Sequence, residues 1–265
     1  VPRRTSRNFN INNIKLENIQ IPEKLKKFEN IKIFKSEGVQ INTETLASNL
    51  KYGIDKELEA NTNKNANVKI NANFIEKNNN LKIDINQNID LMQKIDFTAN
   101  ENTKTNVTIK FENTDDIEYF NNVILTVKAL KDSNLKINII NFTNLSSNIF
   151  LSIENNLQEN SNVEYTIVDF GGKNSLTNYY SNIEGQNATN ALNTIYLGER
   201  NQLKDLNYIA ELYGKKSNID IEVQGALKDN AKKHFKGTID FKKGCKKATG
   251  NENENCMLLS NTAKS

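Results

Sequence analysis

The sequence predicts an all-β protein, a right-handed parallel β-helix flattened into two sheets, with about 28 residues per turn and a short mixed N-terminal cap. Three observations predict the solenoid. Short runs of alternating apolar residues recur along most of the chain, and each reads as a strand with one face inward. The runs begin at Leu81, Val107, Leu135, Val163, Ala191 and Ile219, evenly spaced except for a slightly shorter first step. An asparagine stands before every start: Asn80, Asn106, Asn134, Asn162, Asn190 and Asn218. A fixed period of roughly 20–50 residues marks a solenoid or an array.

Residues 1–60 mix polar loop with weak helical patterns and read as a cap on the exposed end of the stack, which repeat folds need. Residues 61–265 read as the solenoid. Within the cap, Ile21–Phe28 predicts a short helix with Pro22 in its first turn. The Leu46/Leu50 pair followed by Gly53 predicts a second helix ending at that glycine. Asn67-Val68 lies one shorter step before Leu81. Half-period runs at Ile95–Phe97, Val123–Val127 and Ile149–Ile153 supply the second strand of each turn. Inward residues of successive turns are expected to stack in columns, Leu81, Val107, Leu135 and Val163 forming one. Asparagine suits the corners, because it tolerates the left-handed backbone region and bonds its own backbone. Stacked asparagines can also bond from coil to coil. An irregular β-sandwich is the structural alternative.

Composition narrows the function classes. Asparagine is far over-represented, while Gly (11) and Pro (2) are scarce. Thirty-five Lys+Arg against 32 Asp+Glu leave +3, with the signs interspersed. Neither nucleic acid nor membrane is implied as a partner. No apolar run reaches the roughly 18 residues of a membrane span. The start at Val1-Pro2-Arg3-Arg4 has no apolar leader core. One His and two Cys cannot supply a three- or four-ligand His/Cys site. Cys245 and Cys256 form either a bridge or a reduced cytosolic pair. Gly171-Gly172 lacks the Lys and Ser/Thr of a phosphate loop, and no nucleophile elbow or zinc-protease motif occurs. Asp115, Asp116 and Glu118 find no acidic counterpart one coil further on and read as a solvated loop.

The segment from Tyr213 to Ala263 carries a resemblance. It contains Gly225-Ala226-Leu227, Phe235-Lys236-Gly237, Gly244-Cys245, then Asn251–Asn255 and Cys256-Met257-Leu258-Leu259-Ser260. These resemble the C-terminal half of the SufB/SufD family, scaffold proteins of the SUF iron–sulfur cluster machinery. Pro2-Arg3-Arg4-Thr5, with Phe9 and Asn12, resembles the opening motif of a SufD-like branch. The match is dense over that C-terminal segment and thin elsewhere. The resemblance implies a right-handed parallel β-helix between helical ends. It implies a cytoplasmic, non-enzymatic scaffold with a SufC-like ABC ATPase and a SufB/SufD-like partner, or a homodimer. It also implies no stably bound cofactor beyond a transient iron–sulfur cluster. Two departures stand out. Cys245 replaces the family's usual Ala. The family chain also runs on through a His-Gly-Ala-type motif to ATPase-docking helices, so this sequence is expected to be a fragment or a divergent member.

The candidate residues follow. Cys256 precedes an apolar strand at the parity of Leu258, and a thiolate there suits iron and sulfane sulfur. A small buried hydrophobe is the plainer role. Cys245 lies among Lys242, Lys243, Lys246 and Lys247, and such charge activates a thiol. A turn residue is the plainer role. His234 is a candidate metal ligand, set against an ordinary surface histidine. The function predicted is an assembly scaffold; the alternative is a surface or secreted β-solenoid, an adhesin or a protein that binds or acts on carbohydrate.

Overall fold

The computed structural model describes residues 19, 21–22 and 25–265. The Pro2–Thr5 motif, Phe9, Asn12, Glu23 and Lys24 fall outside the described residues. The chain is a two-sheet parallel β-solenoid of about 7 turns, with about 29 residues per turn. In chain order the first elements are β1 (Ile31–Lys35), β2 (Val39–Asn42), α1 (Lys56–Asn65), β3 (Val68–Phe74), β4 (Asn78–Asn86), β5 (Leu91–Ala99), β6 (Lys104–Glu112), β7 (Phe120–Ala129) and β8 (Asn134–Phe142). There follow β9 (Asn148–Leu157), β10 (Asn162–Asp169), β11 (Asn174–Ile183), β12 (Thr189–Gly198), β13 (Leu203–Leu212), β14 (Asn218–Leu227), β15 (Lys232–Phe241) and β16 (Thr249–Leu258). One sheet runs β1-β4-β6-β8-β10-β12-β14-β16, and the other β15-β13-β11-β9-β7-β5-β3-β2. β1 and β2 pair antiparallel with β4 and β3 and form the outermost strands at that end of the two sheets.

The inner faces form one apolar core along the axis. The columns differ from the expected ones. Leu81 does pair with Val107, and Leu135 with Val163. Val107, however, pairs with Ile137 and not with Leu135. Val163 pairs with Asn190, so Ala191 faces outward beside Glu164. The cause is corner length: the long Asn113–Tyr119 corner lengthens the step after Val107, the short 170–173 corner shortens the step after Val163, and the strands keep apolar parity. Asn190 thereby enters the core. It accepts from the Tyr179 hydroxyl at 2.8 Å and donates to the Val163 carbonyl, which makes its burial tolerable.

Asparagine shapes one corner, but not through the expected residues: Asn80, Asn106, Asn134, Asn162, Asn190 and Asn218 lie within strands, and the left-handed positions fall a few residues earlier. Asn102, Asp132, Asn160, Asn187 and Lys216 have φ of 60°, 56°, 54°, 57° and 54°. Each donates its backbone N–H to the next coil, as Asn160 does to Gln186. Asn187 donates through its side chain to Asn160, and Asn160 to Asp132. Asn174–Asn148 and Asn182–Asn156 make further rungs.

Residues 43–55 contain no helix, against expectation, and neither do residues 21–22 and 25–28. The helix forms later, at α1, where Asp55 caps it by accepting from Leu58 N–H. Residues 43–55 instead run over the outer face of the β2–β15 sheet. Their N–H groups find side-chain acceptors: Leu46 on Asp96, Ser48 on Asn63, Leu50 on Glu59 and Lys51 on Glu154. Local propensity loses to these long-range partners. Leu58 of α1 then packs with Met92, Phe120, Phe150 and Leu176 on the same outer face.

Candidate functional site

The strands of the last coil, β15 and β16, are open edges of their sheets. Beyond the bridge from Lys232 to Lys264, no described strand lies on their outer side. Their inward positions follow from register. Lys233, Phe235, Gly237 and Ile239 continue the core columns of Lys204, Leu206, Tyr208 and Ala210. Gly250, Glu252, Glu254 and Cys256 continue those of Ile219, Ile221, Val223 and Gly225. At the last described coil the inward side therefore presents aromatic rings, two carboxylates, a lysine and a thiol.

The groups are mutually placed. Lys233 is nearly fully buried and pairs with Glu254, its Nζ 5.6 Å from the Tyr196 ring centroid. The Tyr196 hydroxyl lies 3.5 Å from Glu254 Oε1 and also meets the Cys256 thiol. Burial first, then these acceptors, pushes that hydroxyl well up from its ordinary value. Glu252 reaches across to Gly237, where a Cβ would stand 1.8 Å from its carboxylate, so a side chain at 237 would displace Glu252. Desolvation raises the Glu252 carboxyl. One coil deeper lies a buried ion pair, Lys204 Nζ to Asp169 Oδ1 at 2.9 Å. Gly171 O, Asn141 and Ser175 add hydrogen bonds to the pair. Burial lowers the Lys204 ammonium against the pull of Asp169.

The three expected site residues do not converge. Cys256 is the eighth residue of β16 and packs against the core. Cys245 sits in the turn before β16, and the seven strand steps from Thr249 to Cys256 alone span roughly 23 Å. Both thiols are free, and a bridge between them is out of reach. Lys242 near Cys245 is already held by Asp240 at 2.5 Å and Glu211 at 2.9 Å. His234 projects from the opposite face of β15 to Lys233. Its Nδ1 is 3.8 Å from the carboxylate of Asp205, its register partner. Among the described residues no cluster of three or more His, Cys, Asp or Glu is placed to hold a metal ion. Sequence reasoning passed over Glu252 and Glu254, and the basic run 232–236, which reads as a solvated turn, is strand with Lys233 buried. For the two glutamates the signal was the i, i+2 parity with Cys256, hidden inside an asparagine-rich stretch.

A family model described as SUF system FeS cluster assembly, SufBD core domain, matches residues 83–265. The chain belongs to the SufBD core-domain family. The matched span runs from within β4 through the open coil, so membership covers the whole candidate site. It ties the chain to SUF iron–sulfur cluster assembly. No curated protein matches the chain. Among the described residues no helix is long and apolar enough to cross a membrane.

Proposed function

We propose that this SufBD protein is a cytoplasmic, non-enzymatic scaffold subunit on which iron–sulfur clusters are assembled. It works with a SufC-like ABC ATPase and pairs with a second copy or a SufB/SufD relative across the open coil. The observation that carries the reading is this coil, within the matched span. Two strand edges border Phe241, Met257 and Leu258, which are 49%, 64% and 51% exposed. Such edges invite strand addition from a partner. Cys256 is then a single sulfur or iron ligand at the seam, and the partner's surface supplies the remaining ligands. Cys245 and His234 lie away from the seam's interior and serve as outer ligands only if a partner brings them together. The cluster is cargo, delivered onward, and no resident cofactor is required.

The test is anaerobic reconstitution with ferrous iron and sulfide, alone and with the partner ATPase. Cys256→Ser is expected to lose the visible cluster absorption, while Cys245→Ser retains it. In parallel, Phe241→Glu with Met257→Glu is expected to turn a dimer into a monomer by sedimentation. Full cluster loading by Cys256→Ser, or a self-association unchanged by the edge substitutions, overturns the assignment.

A further inference from the structure

A second surface lies at the corner where each coil passes from the β16 sheet into the β15 sheet. Two adjoining hollows of about 580 Å³ and about 270 Å³ open there and share Asn201 and Gln202. They form one groove along successive coils. Each coil contributes one exposed cation: Lys173, Arg200, Lys232 and Lys264. None of the four has a carboxylate within ion-pair distance among the described residues, whereas lysines of the outer sheet face do, as in Lys110–Glu112 and Lys136–Glu164. Among the described residues, of the acids nearest this corner only Glu199 is paired with a cation, while Asp229 and Glu118 keep their charge at its edges, so the four cations outnumber the unpaired acids two to one. Glu199 holds Lys228, Asp229 accepts from the Arg200 backbone, and Glu118, which lines one end, accepts from Asn148. Between the cations stand the exposed residues Asn201, Asn230 and Asn261, whose side-chain amides bond to nothing else described.

We infer that this groove binds an extended acidic peptide segment of a partner protein. One cation per coil, with Arg200 set to one side of the line of Lys173, Lys232 and Lys264, covers three coil spacings of about 4.8 Å, roughly 14 Å or the length of four or five extended residues. Side-chain amides offer both donors and an acceptor and match the peptide groups of such a segment. Unpaired lysines and arginine match its carboxylates. The lining contains no aromatic ring on which a base could stack, which separates this groove from single-strand nucleic-acid sites. The site lies on the outside of the corner, apart from the inward side that carries Cys256.

The full chain is titrated against a short fluorescent peptide alternating Glu and Ser. Controls are the Gln/Ser peptide and a single-stranded DNA of equal charge. Binding of the Glu peptide alone is expected, weakening with salt. Lys232→Glu with Lys264→Glu is expected to weaken it by at least about tenfold. Both side chains are exposed, so the fold, followed by circular dichroism, is unchanged. Asn201→Ala with Asn230→Ala gives a smaller loss without altering charge. Absent binding, equal or tighter binding of the DNA, or an affinity indifferent to the lysine pair overturns the inference.

Discussion

Glu211 shows what one side chain does to the whole cap. It projects from the outer face of β13 and accepts from Tyr180 at 2.6 Å, Lys242 at 2.9 Å and Tyr52 at 3.2 Å, as well as from Lys51. Burial would raise its carboxyl, but the hydrogen bonds from Lys51, Tyr180 and Lys242 win and hold it down at about 2. A carboxyl held below its ordinary value of about 4.3 stabilises the fold above that pH and loses the contribution as pH falls toward the folded value. The segment over 43–55 is therefore expected to loosen between about pH 4 and pH 2. Hydrogen exchange at Leu50 and Lys51 should rise in that window, and Glu211→Gln should show the raised exchange already at neutral pH. The buried pair Asp169–Lys204 makes a second case. Lys204→Met strands a buried carboxylate and is expected to cost about 3–5 kcal/mol in urea unfolding. Adding Asp169→Asn should return most of it. Neither role was legible in the sequence, because both depend on partners far along the chain. Glu211 reads there as one more polar residue in an alternating run.

At the level of strands and corners the sequence was far more informative. Period, alternation and the asparagine before each strand all reflect local rules, and they located most strands of the stack. They failed where corners change length, because register follows the buried parity and not the residue count. They failed again over 43–53, where a helical pattern is overruled by acceptors on the sheet and on α1. The left-handed corner column tests the local rule directly. Asn160→Ala loses both the tolerance for a φ of 54° and the side-chain bonds to Asp132 and Asn187. It is expected to cost about 1–2 kcal/mol. Asn160→Gly keeps the backbone freedom and should cost less, the difference between the two unfolding midpoints reporting the strain less the extra chain entropy of glycine.

For the whole molecule, the family segment was legible at its C-terminal end, where Phe235-Lys236-Gly237 and Cys256–Ser260 stand in the open coil. The separation of Cys245 from Cys256 in space was not, since their distance along the chain means nothing until a strand stretches it. The segment over the outer face has one further consequence. A solenoid held only by neighbouring coils melts from its ends like a zipper. Here Lys51 is tied to Glu211, across most of the stack. Coils between the two anchors cannot part singly without breaking that tie, so they behave as one melting block. Among the described strands, β14 and β16 lie past the strand that carries this tie, so the tie leaves the strand bearing Cys256 outside the block it welds together.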